Sequence, residues 1–180
     1  MLKNCLRACA LALIALAAPA SAIYSDVQPL CLSSIVTAFA PADTNENILV
    51  QCTIPARALV SNALLRITVI WNTTNNANVK TGRVRYSGIA GTVFTSPPLA
   101  SGAGAITVVV IGQRGVPTSQ VGYSFTLNAF TGILATIATN VTSAVDTTQP
   151  TFLTVTCQKA TGTDVCTVEG FLVELIGGGT

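Results

Sequence analysis

The chain has 180 residues, half of them hydrophobic, with nine basic and seven acidic side chains and no histidine. Charged residues make up 9 % against a typical ~25 %, and they form neither a basic stripe for nucleic acid nor an acidic tail. Without histidine there is no Ser-His-Asp or Cys-His arrangement for nucleophilic catalysis.

Residues 1–22 read as a cleavable signal peptide. Lys3 and Arg7 supply a positive n-region, Ala8 to Ala18 an apolar run, and Ala20-Ser21-Ala22 a small-x-small cleavage site. The apolar run falls short of the roughly 20 residues a spanning helix needs, so no membrane span is expected after signal removal. An uncleaved anchor is the other reading of the same stretch. Export, periplasmic or extracellular, is expected, with residues 23–180 as a single domain. Without Lys3 and Arg7, seven basic and seven acidic residues remain, a net charge of zero. So few charges leave little to keep a monomer soluble and suit a subunit that buries surface against copies of itself. A Thr/Ser/Asn-coated monomer is the alternative.

Cys5 and Cys9 leave with the signal, and Cys31, Cys52, Cys157 and Cys166 remain. Four cysteines allow three connectivities; sequence proximity favours Cys31–Cys52 and Cys157–Cys166. If Thr161-Gly162 makes a two-residue turn, Cys157 falls opposite Cys166 in a hairpin and Lys159 opposite Asp164. A zinc site is disfavoured by the lack of a Cys-x-x-Cys spacing and by an oxidising destination.

The mature chain is a succession of short β-like runs: Leu30 to Phe39, Asn47 to Ile54, Leu64 to Trp71, Val79 to Tyr86, Thr92 to Thr95, Ala105 to Ile111, Val121 to Ala129, Phe152 to Cys157 and Cys166 to Ile176. In the central run Leu65, Ile67, Val69 and Trp71 share one face. An asparagine-rich loop follows, with Asn72, Asn75, Asn76 and Asn78, and then a strand with Val84 and Tyr86 on one face and Arg83 and Arg85 on the other. Val121, Tyr123, Phe125 and Leu127 alternate with Gly122, Ser124 and Thr126. Pro55, Ser96-Pro97-Pro98, the glycines of 101–104, the stretch 112–117 and Gln149-Pro150 punctuate the runs. Gly132 to Val141 is ambiguous and leans to strand or loop. The pattern predicts an all-β fold, an antiparallel β-sandwich of jelly-roll-like type.

Ile54-Pro55-Ala56, the stretch from Asn62 to Ile67, the Trp71 to Thr81 loop and Arg83-Val84-Arg85 together resemble a recurrent signature of uncharacterised tailed-phage and prophage proteins. Ser119 to Tyr123 and Val168 to Leu175 are similar to that group too. The resemblance implies a virion surface component with a jelly-roll-like distal domain, a homo-oligomer, by analogy with fibre tips a trimer, and contacts with other virion proteins or a surface glycan.

Candidate contact residues follow. Trp71 either fills the core or stacks on a sugar. Lys80, Arg83 and Arg85 are candidate ligand or subunit contacts, able to grip an acidic glycan or a neighbour's carboxylate; a solvated sheet face is the bland reading. The asparagine loop is a turn, or a carbohydrate contact; without Asp or Glu between Asn72 and Asn78 it is a poor calcium site. Asn72-Thr73-Thr74 and Asn140-Val141-Thr142 match glycosylation acceptors. Leu172 and Ile176 lie opposite Phe171, Val173 and Leu175, so the last strand is apolar on both faces and is expected to touch a partner. Asp26, Asp43, Glu46, Asp146, Asp164, Glu169 and Glu174 are scattered, and no pair marks a glycosidase site. No cofactor is expected. The reading is a non-enzymatic structural or attachment subunit; the alternative is a secreted carbohydrate-binding β-sandwich.

Overall fold

The computed structural model describes residues 27–33, 37–38, 43–99, 104–128, 134–137 and 140–177. The signal segment with its cleavage point, Ala129 and the 101–103 link lie outside the described residues. Twelve strands follow in chain order: β1 (Val27–Ser33), β2 (Thr37–Ala38), β3 (Asn47–Ile54), β4 (Ala63–Thr73), β5 (Lys80–Tyr86), β6 (Thr92–Thr95), β7 (Gly104–Gln113), β8 (Gln120–Asn128), β9 (Leu134–Ile137), β10 (Val141–Ser143), β11 (Thr151–Lys159) and β12 (Cys166–Gly177). They form two sheets, one ordered β1-β12-β4-β7-β8-β10 with β2 on β12 and β9 on β8, the other β3-β11-β5-β6. Every strand pairing in both sheets is antiparallel. The fold is an antiparallel β-sandwich with jelly-roll-like topology, and among the described residues no helix is long and apolar enough to cross a membrane.

Strand β4 is the spine of the large sheet, hydrogen-bonded to β12 on one side and β7 on the other. Its alternation works as the pattern requires: Leu65, Ile67, Val69 and Trp71 are buried. They meet Val84, Tyr86, Phe94, Leu153 and Val155 of the small sheet in one core. Each such side chain contributes about 1.5–3 kcal/mol by leaving water. Trp71 is a core residue, 1 % exposed, and its ring fills the place where Gly82 has no Cβ. The sugar-stacking alternative for Trp71 is thereby excluded.

Both disulfides join the two sheets. Cys31 of β1 is bonded to Cys52 of β3, and Cys157 of β11 to Cys166 of β12, with Cα atoms 6.0 and 6.6 Å apart. The second bond corrects the expected hairpin. β11 pairs with β3 and β5, and β12 with β1, β2 and β4, so the two strands are not partners. The chain between them crosses from one sheet to the other. It turns where Asp164 N–H donates to Thr161 O at 3.1 Å. Lys159 does not face Asp164 across a ladder; its ammonium donates to the backbone oxygens of Gly162 and Asp164, each at 2.8 Å.

Candidate functional site

A sandwich normally turns the polar alternates of each strand to water. Strand β8 does the reverse. Gln120, Gly122, Ser124 and Thr126 point inward and are buried, while Tyr123, Phe125 and Leu127 point outward. The inward set is held by specific contacts. Gln120 donates to the carbonyls of Pro117 at 2.6 Å and Val145 at 2.9 Å and accepts from Val145 N–H at 3.1 Å. Gly122 makes room for Phe94, whose ring carbon would sit 2.3 Å from a Cβ there. Ser124 donates to Phe94 O at 3.3 Å. Thr126 shares a 2.9 Å hydrogen bond with Thr107, which accepts from Trp71 Nε1 at 2.9 Å. Every inward polar group of β8 is satisfied, and burying it is then affordable.

The consequence is an apolar outer face on the large sheet. Cross-strand register sets Gly170, Ile70, Ile106 and Leu127 in one row and Leu172, Thr68, Val108 and Phe125 in the next. Glu174, Arg66, Val110 and Tyr123 form the third row. Ile70, Ile106, Tyr123, Phe125 and Leu127 are 37–54 % exposed. Among the described residues the ion pair on this face is Arg66 Nε to Glu174 Oε2 at 2.7 Å, and Glu169 is held by hydrogen bonds from Asn72 and Thr167. Four strands and three rows span roughly 400 Å2 in projection, within the range of the largest patch on a monomer. Over β12, between β1 and β4, a groove of about 330 Å3 is lined by Leu32, Ile70, Glu169, Gly170 and Leu172. It opens where β12 bulges between Val168 and Gly170. Leu32 stands 76 % exposed on its rim.

Leu172 and Ile176 therefore lie on this outer face, half-buried, opposite the buried Phe171, Val173 and Leu175. The 134–137 stretch does not cover them, because it pairs in-plane with β8 as β9.

The basic candidates separate. Arg83 and Arg85 point out from the small sheet, and both are engaged by Glu46. Arg85 forks onto both carboxylate oxygens at 2.7 Å, and Arg83 approaches at 3.2 Å. Thr156 also donates to Glu46. The Arg85 hydrogen bonds hold the Glu46 carboxyl below the usual range. An acidic ligand would have to displace Glu46 from this fork. Lys80 is not with the arginines; the strict alternation of β5 puts it on the inner face, fully buried. Its charge lies directly across the ladder from Lys159, also buried.

This polar end of the sandwich is closed by the asparagine loop and the 161–164 turn. Lys80 Nζ donates to Asn76 Oδ1 at 2.6 Å and to Asn78 O at 2.8 Å. Asn76 Nδ2 donates to Asp164 Oδ1 at 2.7 Å. The Asn76 hydrogen bond keeps the Asp164 carboxyl below its usual range, and burial pushes Lys159 down. Sequence reasoning missed this cluster because a Lys at the head of a strand reads as a surface charge. The register of Val84 and Tyr86, two and three turns of the pleat further on, was the signal that Lys80 shares their face.

Among the described residues no group of three or more His, Cys, Asp or Glu side chains could hold a metal ion. No protein-family model matches the chain, and no curated protein matches it. Several solved structures are similar to it. The infectious bursal disease virus VP2 subviral particle is similar at 13 % identity over 86 % of this chain and 32 % of that one, with a TM-score of 0.38. This chain thus spans about a third of the viral chain's length. Peanut lectin is similar at 10 % identity over 87 % of this chain and 95 % of its own, TM-score 0.36. The Lotus tetragonolobus seed lectin follows at 9 % identity over 83 % and 91 %, TM-score 0.38. The likeness is one of β-sandwich shape and extends no further.

Proposed function

We propose that the chain is an exported, non-enzymatic structural subunit that packs the outer face of its large sheet against a second copy of itself. The observation that carries this is the inversion of β8, which spends its polar alternates inside and presents Tyr123, Phe125 and Leu127 outside. Neighbouring Ile70, Ile106, Val108 and Val110 extend the face. Strands apolar on both sides belong between two layers, and the second layer is missing from a lone sandwich. A copy fits the charge pattern, since a two-fold axis can set Arg66 of one copy against Glu174 of the other, and the reverse. The phage-type surface role stays within this proposal as its setting; the trimer expected from that resemblance gives way here to a two-fold pair.

A secreted carbohydrate-binding module is the second reading. Tyr123 and Phe125 favour it, being exposed rings two residues apart on one strand face, the arrangement on which sugar rings stack. The surrounding aliphatic side chains offer few hydrogen bonds to hydroxyls, which places this reading second.

Phe125→Asp tests the proposal without touching the core. Sedimentation at micromolar concentration is expected to show an oligomer for the parent and a monomer for the variant, at least tenfold weaker in association, with unchanged far-ultraviolet circular dichroism. A monodisperse parent monomer refutes the assembly. Glycan binding by that monomer, lost in Tyr123→Ala, would establish the second reading.

A further inference from the structure

Asn76 is held in one orientation. Lysine only donates and an ionised carboxylate only accepts, so the amide oxygen must face Lys80 and the amide nitrogen must face Asp164. Those contacts are 2.6 and 2.7 Å. The Asn76 carbonyl carbon lies one C=O bond, about 1.2 Å, beyond the atom that Lys80 touches. The same oxygen accepts from the backbone N–H of Asn78 at 3.1 Å. Lys80 is fully buried, and Asp164 is 3 % exposed with its second oxygen, Oδ2, lacking a hydrogen-bond partner.

These are the parts of an acyl transfer. A primary amine stands against a carboxamide, a backbone N–H points at the oxygen where negative charge develops, and a carboxylate touches the nitrogen that leaves. We propose that Lys80 and Asn76 condense to an intramolecular isopeptide bond, with Asp164 as the proton carrier. The Lys80 ammonium passes a proton to Asp164 along the Asn76 amide that bridges them, and its lone pair adds to Asn76 Cγ, swinging from the oxygen onto the carbon. The Asn78 N–H holds the oxyanion. The Cγ–Nδ2 bond breaks as the new Cγ–Nζ bond persists. The two protons shed by the lysine nitrogen pass by way of Asp164 to Nδ2, which departs as ammonium. Charge and atoms balance, and no oxidant or cofactor enters.

The bond would close the loop between β4 and β5 across four residues. It would also remove one of two positive charges that face each other inside the sandwich, Lys80 and Lys159, an opposition that is unfavourable in a ladder. Asp164 would then serve Lys159 alone. The reaction is a single self-modification and is independent of whatever the outer sheet face binds.

Intact-mass spectrometry of the folded, full-length exported protein tests it, followed by denaturation, reduction and trypsin. The expected mass is lighter than the sequence with its disulfides by one ammonia, in essentially all molecules. Trypsin should fail to cut after Lys80, and fragmentation should locate a link between residues 76 and 80. Lys80→Arg should restore the full mass, and Asp164→Asn should leave most molecules unlinked. A cyclic imide at Asn76 loses the same ammonia, but it leaves Lys80 cleavable and opens in hydroxylamine; that result overturns the proposal. So does a parent protein of full mass that trypsin cuts after Lys80. Both readouts come from the parent, so a variant that fails to fold does not blunt the test.

Discussion

Thr107→Val tests whether the inverted face of β8 is held from inside. Thr107 is fully buried and lies between Trp71 and Thr126. Valine keeps its shape and removes only the oxygen. The Trp71 N–H is then buried with no acceptor, and the Thr126 hydroxyl loses its partner. Orphaning a buried donor costs about 1–3 kcal/mol and losing a neutral hydrogen bond about 1, so the expected loss is about 2–4 kcal/mol. For a domain of this size that lowers Tm by roughly 4–16 °C. Thr126→Val leaves the Trp71–Thr107 bond in place and should cost about 1 kcal/mol or less. The double variant separates the effects by sign. Once Thr107 has lost its oxygen, Thr126→Val removes a hydroxyl that is already orphaned, so the pair should be more stable than Thr107→Val alone. Urea unfolding of the oxidised protein, followed by the fluorescence of the single tryptophan, reads all three. If Thr107→Val lies within about 0.5 kcal/mol of the parent or is more stable, apolar burial rather than the polar relay sets the register of β8, and the reasoning fails.

Removing the disulfides singly should rank them by loop length. The Cys31–Cys52 loop spans 21 residues and the Cys157–Cys166 loop nine, so serine pairs at these positions should cost about 3.3 and about 2.6 kcal/mol in thermal or urea unfolding. The Glu46 fork should make the protein acid-sensitive. With its folded pKa below the ordinary 4.5, Glu46 contributes stability that is present above that value and lost as pH falls through the lowered one. Glu46→Gln should therefore be less stable than the parent at neutral pH, and the gap should close in acid; a gap constant down to pH about 3 would count against the pairing.

What the sequence made legible was whatever a single strand decides alone. The bounds of β3 and β6, and the inward face of β4, follow from alternation and punctuation. The cysteine pairing was legible from proximity, yet its geometry was not. A Thr-Gly pair looks like a hairpin turn, and only the partners of β11 and β12 reveal that the chain changes sheets there. Arg83 and Arg85 were placed on an outer face, but their common partner, Glu46, lies 39 residues from Arg85. The three-residue β10 is too short to carry any alternation.

The face of β8 is the instructive failure. Alternation says that one set of side chains is buried, and hydrophobicity ordinarily says which. Here the order is reversed because the small sheet thrusts Phe94 against position 122, where only glycine fits, and because Trp71 needs a hydroxyl for its N–H. Both demands fall on the inward positions of β7 and β8. A Tyr or Phe at 122 or 124 would collide with Phe94 or break its hydrogen bond to Ser124. The large apolar residues are thus left only the outer positions, and a one-residue slip that turned them inward would bury none of the required polar partners. The second copy proposed above would cover the outward apolar face that these inward constraints leave. Arg66 and Glu174 neutralise each other on that face, and a second apolar sheet is the cover that the proposal assigns to it.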